Sequence, residues 1–105
     1  MKLRMICGVL GLAGSLLAPS AHADLALAQK GGCMGCHKVD AKLVGPAYKD
    51  VAAKYKGEKD VIAKLMDRVR KGGPGNWGTT PMAASGPDKI SDADLKKVIE
   101  WILAS

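Results

Sequence analysis

Apolar residues recur at helical spacing in three separate stretches of the chain. In the first stretch, four of them fall at i, i+3, i+4 and i+7, which places them on one face of a helix. They are Tyr48, Val51, Ala52 and Tyr55. Pro46 suits the first position of this helix, because proline has no N–H to lose there, and Gly57 ends the pattern. The sequence therefore predicts one amphipathic helix between Pro46 and Gly57.

The other two stretches predict two further helices. The second begins at Asp60, and its apolar residues repeat every three to four positions until Gly72 and Gly73 stop it. They are Val61, Ile62, Leu65, Met66 and Val69. The third follows Ser91, whose spacing to Asp94 resembles a capping box. Its apolar residues are Leu95, Val98, Ile99 and Ile102.

The segments between these helices predict loops. Asp24 can cap a short helix that Gly31 and Gly32 stop, whereas residues 38–45 and 72–87 show no periodicity. No strand-rich alternation occurs, so the predicted class is all-α, with three or four helices.

The beginning of the chain predicts an export signal. Met1–Arg4 is basic, Met5–Leu17 is an apolar run without charge, and Ala21-His22-Ala23 has the small-residue pattern of a cleavage site. The apolar run is shorter than the roughly 20 residues that span a bilayer. We therefore expect a signal peptide over 1–23, cleavage before Asp24, and one periplasmic domain over 24–105. The alternative is an uncleaved membrane anchor.

The charge of the predicted domain is moderately basic. Loss of Lys2 and Arg4 with the leader lowers the 16 basic residues to 14, against 10 acidic ones, a net charge of +4. The lysines alternate with acidic residues and no aromatic platform accompanies them, which argues against nucleic-acid binding. They form either an ordinary solvated surface or a surface that steers the protein onto an acidic partner.

The segment Cys33-Met34-Gly35-Cys36-His37 carries the chemistry of this chain. Two thiols three positions apart, followed at once by a histidine, are the C-x-x-C-H pattern of covalent c-type haem attachment. A domain of about 80 residues commonly needs such a staple. A structural zinc site would need four ligands, and a thiol-redox pair would be expected after a strand; these are the alternatives.

The iron of such a haem has two axial positions. His37 of the attachment motif would fill one, and the residue that fills the other decides the function. The other histidine, His22, belongs to the predicted leader, which leaves methionine as the natural second ligand. Met34 lies inside the attachment turn and Met66 lies on an apolar helix face, as a core residue would. Met82 follows Pro81 in the long loop and belongs to no helical stripe. We therefore predict Met82 as the sixth ligand of the iron.

With these residues in place, the chain resembles the short bacterial class I monohaem cytochromes c. It is most similar to the small periplasmic type that donates electrons to dissimilatory nitrite reductase. The likeness covers residues 24–105. Its markers are the C-x-x-C-H segment, the run Val44–Ala52, the segment Asn76-Trp77-Gly78, and Pro81-Met82. The resemblance implies the cytochrome c fold, with helices wrapped around one covalently bound haem c.

The resemblance also implies a role for individual residues. The implied haem contacts are thioethers from Cys33 and Cys36 and axial iron bonds from His37 and Met82. The carbonyl of Pro46 is implied to accept the other ring N–H of His37, which selects its tautomer. Arg68 and Trp77 match positions that hydrogen-bond a haem propionate.

A closed six-coordinate iron with no base or nucleophile beside it predicts a one-electron carrier and not an enzyme. The expected partners are redox proteins with acidic docking surfaces, such as nitrite reductase, cytochrome oxidase or a peroxidase. We expect a monomer without stable membrane insertion after cleavage. The alternative is a haem enzyme or gas sensor with a five-coordinate iron, which Met82 as a ligand would contradict.

Overall fold

The computed structural model describes residues 21–75 and 77–105, with side chains from Asp24 onward. This part of the chain contains four α-helices, one turn of 3-10 helix and two short strands. The helices are α1 (Ala21–Lys30), α2 (Tyr48–Tyr55), α3 (Val61–Lys71) and α4 (Asp92–Leu103). The 3-10 turn is Cys33–Gly35, and the strands are β1 (Gly73–Gly75) and β2 (Gly78–Met82). Residues 1–20 of the predicted leader lie outside the described part of the chain.

Helix α4 is the element around which the other helices pack, because α1, α2 and α3 all contact it. The hydroxyl of Ser91 accepts a hydrogen bond from the backbone N–H of Asp94 at 3.2 Å, so the predicted N-terminal cap is confirmed. Leu95, Val98 and Ile99 are each only 1% exposed. The apolar face predicted for this helix, the third of the predicted amphipathic helices, is therefore the centre of the core.

Two groups of buried side chains form this core. One group combines α4 with Ala28 of α1 and Ile90, which precedes the helix. The other is the predicted apolar face of α2, where Tyr48, Val51 and Tyr55 are buried. Leu65 of α3 packs against both groups, and so does Trp101 of α4. The attachment segment enters the same core through Met34, which also contacts both groups.

Helix α3 differs from the other helices because none of its residues is fully buried. Its apolar side packs against the core yet stays partly exposed to solvent. The residues concerned are the predicted stripe of Val61, Ile62, Leu65, Met66 and Val69. An apolar face that the chain itself covers only in part is suited to contact with an apolar group.

Two predicted helix starts are corrected by the structure. Asp24 does not cap the first helix; it lies within the first turn of α1, where a negative charge favours the helix dipole. Pro46 is not the first residue of α2, because Ala47 is the N-cap and Tyr48 the first helical residue. The first amides of α2 are instead bound by the preceding loop, since Tyr48 N–H donates to the Lys38 carbonyl at 2.9 Å. Ala47 has an extended backbone with a ψ of 142°, so the helix does not extend back to Pro46.

The segment predicted as a loop over residues 72–87 contains a β-hairpin. Strand β1 pairs antiparallel with β2, and Gly73 stands opposite Met82. These strands are short and rich in glycine and proline, and they lack apolar alternation. The usual sequence pattern of a strand is therefore missing, which is why the hairpin was not predicted. The hairpin delivers Met82 to the end of α3.

Candidate functional site

The attachment segment is a single tight turn. The backbone N–H groups of Cys36 and His37 both donate to the carbonyl of Cys33, at 3.2 and 3.0 Å. Gly32 enters the turn with a φ of 80°, a left-handed conformation that glycine adopts without steric cost. Neither cysteine of the turn pairs in a disulfide, and Cys33 is half-buried while Cys36 is exposed. The turn therefore presents two thiols and one imidazole from five consecutive residues.

The imidazole of His37 has a defined tautomer. Its Nδ1 atom lies 2.9 Å from the carbonyl oxygen of Pro46. A carbonyl only accepts hydrogen bonds, so Nδ1 carries the proton and Nε2 carries the lone pair. The contact that the resemblance implies between these two groups is thus present in the structure. An Nε2 lone pair held by a hydrogen bond at Nδ1 is the arrangement of metal-binding histidines.

Gly45 makes room for this imidazole. A Cβ atom on Gly45 would lie 2.8 Å from Nδ1 and 2.9 Å from Nε2 of His37, and closer still to Cε1. Real Cβ atoms essentially never approach a neighbour so closely. The N–H of Gly45 also donates to the Cys36 carbonyl at 2.7 Å. The loop at Gly45 therefore lies directly against the histidine ring.

Tyr48 is a site residue that the sequence analysis missed. Its ring stacks on the His37 ring with 5.0 Å between centroids and 20° between planes. Burial raises the pKa of the Cys33 thiol in the chain before haem attachment, and the neighbouring Tyr48 hydroxyl lowers it to a smaller extent. Burial is also the largest cause that raises the pKa of Tyr48 itself. A polar aromatic residue on a buried helix face, two positions after Pro46, was the available signal.

Met82 lies on a different part of the molecule, at the end of β2. Its backbone lies against Gly72, where an added Cβ would stand 2.5 Å from the Met82 carbonyl oxygen and 2.7 Å from the Ala84 nitrogen. Three residues further on, Ser85 N–H donates to the Val69 carbonyl at 2.9 Å. The Met82 segment therefore packs closely on the last turn of α3. Met66, in contrast, packs against the core, as a structural methionine would.

Arg68, near the end of α3, and Trp77, in the hairpin turn, both lie beside the hairpin, each with a partner from the protein. The Arg68 guanidinium donates to the Gly73 carbonyl at 2.7 Å, which places it along β1. Trp77 lies in the turn between the strands and is 42% exposed. The Lys54 ammonium of α2 stands 4.5 Å from the centre of its ring, a cation–π contact.

The donor set and its surroundings suit a covalently attached haem. The two thiols and the Nε2 lone pair of His37 come from one turn, as the attachment chemistry requires. The partly exposed apolar side of α3 could contact a flat apolar ring. So could Leu43 and Val44, which are 44% and 53% exposed in the loop before Gly45.

Comparison with known proteins identifies the family. The family model described as Cytochrome c matches residues 25–105. The chain belongs to the cytochrome c family. Among its relatives, cytochrome c-551 of Allochromatium vinosum is 53% identical over 87 residues, covering 83% of this chain and 90% of that protein. Cytochrome c-552 of Hydrogenobacter thermophilus is 44% identical, with 99% of this chain and 98% of that protein covered.

A solved structure agrees with the fold. The crystal structure of cytochrome c552 from Nitrosomonas europaea matches with a TM-score of 0.70 at 42% identity. The match covers 76% of this chain and 96% of that one. The predicted cytochrome c fold is therefore confirmed, with the hairpin as an addition to the four helices.

The family also decides the cofactor and the class of activity. This chain is a small bacterial class I monohaem cytochrome c with one covalently attached haem c, and Cys33 and Cys36 fit the attachment motif. It is an electron carrier that works with redox partners and not an enzyme. Among the described residues, no helix is long and apolar enough to cross a membrane.

Proposed function

We propose that this cytochrome c is a periplasmic one-electron carrier whose haem iron is bound by His37 and Met82. Cys33 and Cys36 attach the haem through thioethers. The observation that carries this proposal is the 2.9 Å contact between Nδ1 of His37 and the Pro46 carbonyl. This contact leaves the Nε2 lone pair for the iron. The imidazole comes from the same turn as the two cysteines.

When bound, the haem supplies a couple between ferric and ferrous iron. His37 contributes a nitrogen ligand whose basicity is raised by its hydrogen bond to Pro46. Met82 contributes a thioether, which favours the ferrous state and raises the reduction potential. The tight turn would hold His37 and the packed hairpin would hold Met82, so that little rearrangement would accompany the gain or loss of an electron by the haem and transfer would be rapid.

The position of Met82 supports its role as the second ligand. It ends a strand and is half-buried, while its backbone is held against Gly72, just after α3. Met34 and Met66 pack against the core of buried side chains. A methionine of a core cluster would have to leave its packing to reach an iron, whereas Met82 has no such packing.

We assign Arg68 and Trp77 to the propionates of the haem. A guanidinium carries five N–H donors, so the bond from Arg68 to Gly73 leaves others free to bind a carboxylate. The indole N–H of Trp77 is a further donor on the same hairpin. The Lys54 ammonium beside the Trp77 ring adds positive charge on this side of the molecule.

Electrons enter and leave where the attachment turn meets solvent. Cys36 and Gly35 are exposed there. The surrounding apolar surface is proposed to include Met34, Ala83 and Ala84, with Lys38, Lys42 and Lys49 at its rim. All three lysines are exposed. Small apolar patches rimmed by charge suit the brief encounters of redox partners.

The proposed partners have acidic docking surfaces, and a nitrite reductase, a cytochrome oxidase or a peroxidase would each be a suitable acceptor.

The steering by lysines has a kinetic test. Replacing Lys38, Lys42 and Lys49 by Gln is expected to slow electron transfer to an acidic partner at low salt and to leave the rate at high salt almost unchanged. The rates would be measured by stopped flow across a series of ionic strengths. A wild-type rate that does not depend on ionic strength would contradict the steering.

We further propose that residues 1–23 direct export and are removed before Asp24. The family match that begins at residue 25 supports this boundary. The intact mass of the protein purified from the periplasm tests it, with the mass of residues 24–105 plus one haem expected. A mass that retains the leader would contradict the cleavage.

The axial ligand has a spectroscopic test with a matched control. The ring current of a haem shifts the methyl protons of a bound methionine far upfield in the proton NMR spectrum of the reduced protein. Met82→Ala is expected to abolish that resonance, and Met66→Ala is expected to retain it. Loss of the resonance in Met66→Ala alone would show that the wrong methionine has been assigned.

A further inference from the structure

Arg70 makes contacts that an ordinary cation at the end of a helix does not make. Its Nη1 atom donates to the carbonyl oxygens of Ser85 and Ile90, at 3.1 and 2.9 Å. Its Nη2 atom contacts Oδ1 of Asp92 at 2.5 Å. These three partners bracket the segment that runs from the Met82 hairpin to the start of α4.

The two carbonyl bonds matter more than the ion pair. The side chain of Arg70 is only 20% exposed, whereas that of Asp92 is 76% exposed. An ion pair with so exposed a partner is screened by water and contributes little. The carbonyl bonds are charge-assisted and come from a largely buried donor, so they are the stronger restraint.

The same segment is docked on α3 at two further points. Ser85 N–H donates to the Val69 carbonyl at 2.9 Å, and Gly72 allows the Met82 and Ala84 backbone to approach directly. Val69 and Arg70 belong to the last turn of α3, and Gly72 follows directly as its C-cap. The last turn of α3 therefore holds both the Met82 end and the Ile90 end of the segment.

We infer that Arg70 is a positioning residue for Met82: it keeps the segment over residues 82–90 docked on α3 and so keeps the thioether beside the iron. The inference rests on the proposed ligation by Met82. Arg70 is assigned no contact with the iron or the haem, and it acts through the backbone of Ser85 and Ile90. Without it, the segment would open more often and Met82 would leave the iron more often.

The experiment measures how often Met82 leaves the iron. Ferric haem iron bound by a methionine sulfur has a weak long-wavelength absorption band, the Met-sulfur band. Excess imidazole is added to the ferric protein and binds the iron whenever Met82 leaves it. The decay of the Met-sulfur band then gives the opening rate. Arg70→Gln is expected to raise that rate at least roughly tenfold, the factor that one charge-assisted hydrogen bond is worth, because it removes the charged donor from both carbonyls. Arg70→Lys, which keeps the charge and one donor group, is expected to lie between Arg70→Gln and the wild type.

Three control variants separate positioning from simpler effects. Lys71→Ala removes a neighbouring cation that pairs with Asp67 on the exposed side of α3, and it is expected to stay within about twofold of the wild-type rate. Asp92→Asn removes only the exposed ion pair and is expected to stay within about threefold. Gly57→Ala strains a remote left-handed glycine, so it lowers global stability without touching the segment.

Amide hydrogen exchange in the reduced protein gives a second readout. In Arg70→Gln, the Ser85 amide is expected to exchange faster by a similar factor, because its bond to Val69 opens with the segment. The Ile99 amide lies inside α4 and reports global unfolding. Its exchange rate is expected to change only as much as the global stability of the variant does. A variant that merely destabilised the fold would move both amides together.

The results distinguish this inference from the proposed function. If the wild type has the Met-sulfur band but Arg70→Gln opens within twofold of the wild-type rate, the positioning role is wrong and the ligation stands. The positioning role is also wrong if Gly57→Ala, at an equal loss of stability, opens just as fast. If the wild type has no Met-sulfur band, the ligation and the positioning role both fail.

Discussion

The two sides of the candidate site are built in different ways. The imidazole side comes from one continuous stretch, in which His37 contacts Pro46 and stacks on Tyr48. The thioether side depends on a separate element, because the Met82 segment is held by Gly72, just after α3, and by Arg70 of α3, which reaches Ile90 twenty residues along the chain. A local turn positions the first ligand, whereas helix packing must be complete before the second is positioned. The second side should therefore open first under stress.

The largest expected effect comes from the close approach at Gly72. Gly72→Ala adds a Cβ 2.5 Å from the Met82 carbonyl and strains a residue with a φ of 65°. We expect a loss of about 2–5 kcal/mol in the free energy of unfolding, since strain and overpacking add. Chemical denaturation followed by circular dichroism would measure it, together with the Met-sulfur band, which should weaken.

Gly57→Ala is the matched control for this variant. Gly57 has a φ of 75° and no atom within 4 Å of an added Cβ, so it reports strain alone. Its cost should be only about 1–2 kcal/mol, with the Met-sulfur band unchanged. Equal losses in the two variants would mean that contact between Gly72 and the Met82 segment contributes nothing.

The second expected effect tests the imidazole side. Gly45→Ala places a Cβ within 3 Å of both nitrogens of His37, and the ring or the loop must shift. We expect a loss of about 1–3 kcal/mol and a shifted Soret band with the Met-sulfur band retained. Asp40→Ala, an exposed position in the same loop, is the control and should change neither quantity. If Gly45→Ala instead weakened the Met-sulfur band, the two sides would not be separate.

The smallest expected effect concerns the contact between α2 and the hairpin. Lys54→Ala removes the ammonium from the Trp77 ring and should cost about 0.5–1 kcal/mol, as exposed cation–π contacts do. Thermal unfolding would measure it. Lys56→Ala, an exposed lysine just after α2, serves as the control. A larger loss in the control would indicate that general charge and not the ring contact is responsible.

The same contrast explains what could be predicted from the sequence. The C-x-x-C-H spacing and the apolar faces of α2 and α4 are local patterns, and the structure confirms the helices that they predict. The hairpin had no such pattern, because Gly73–Gly75 and Gly78–Met82 pair through their backbones. Pro46 was predicted as the first helical residue because proline favours that position, whereas the helix begins at Tyr48 and the Pro46 carbonyl binds His37.

The roles of Tyr48 and Arg70 were missed for a related reason. Tyr48 fits the helix period of α2, and this packing explanation was sufficient without the stack on His37. Arg70 stands near a helix end, where a cation is ordinary, and its partners Ser85 and Ile90 are backbone carbonyls far along the chain. Every residue has a backbone carbonyl, so the sequence does not show which ones Arg70 binds.

The most direct test of the account is the reaction of the reduced protein with carbon monoxide. Absorption spectra would be recorded in both oxidation states for the wild type and for Met82→Ala. If Met82 closes the iron, the wild type shows the weak Met-sulfur band when ferric and does not react with carbon monoxide, whereas Met82→Ala binds it readily. A wild type that binds carbon monoxide would contradict the account, because the iron would then be open as in a haem enzyme or gas sensor.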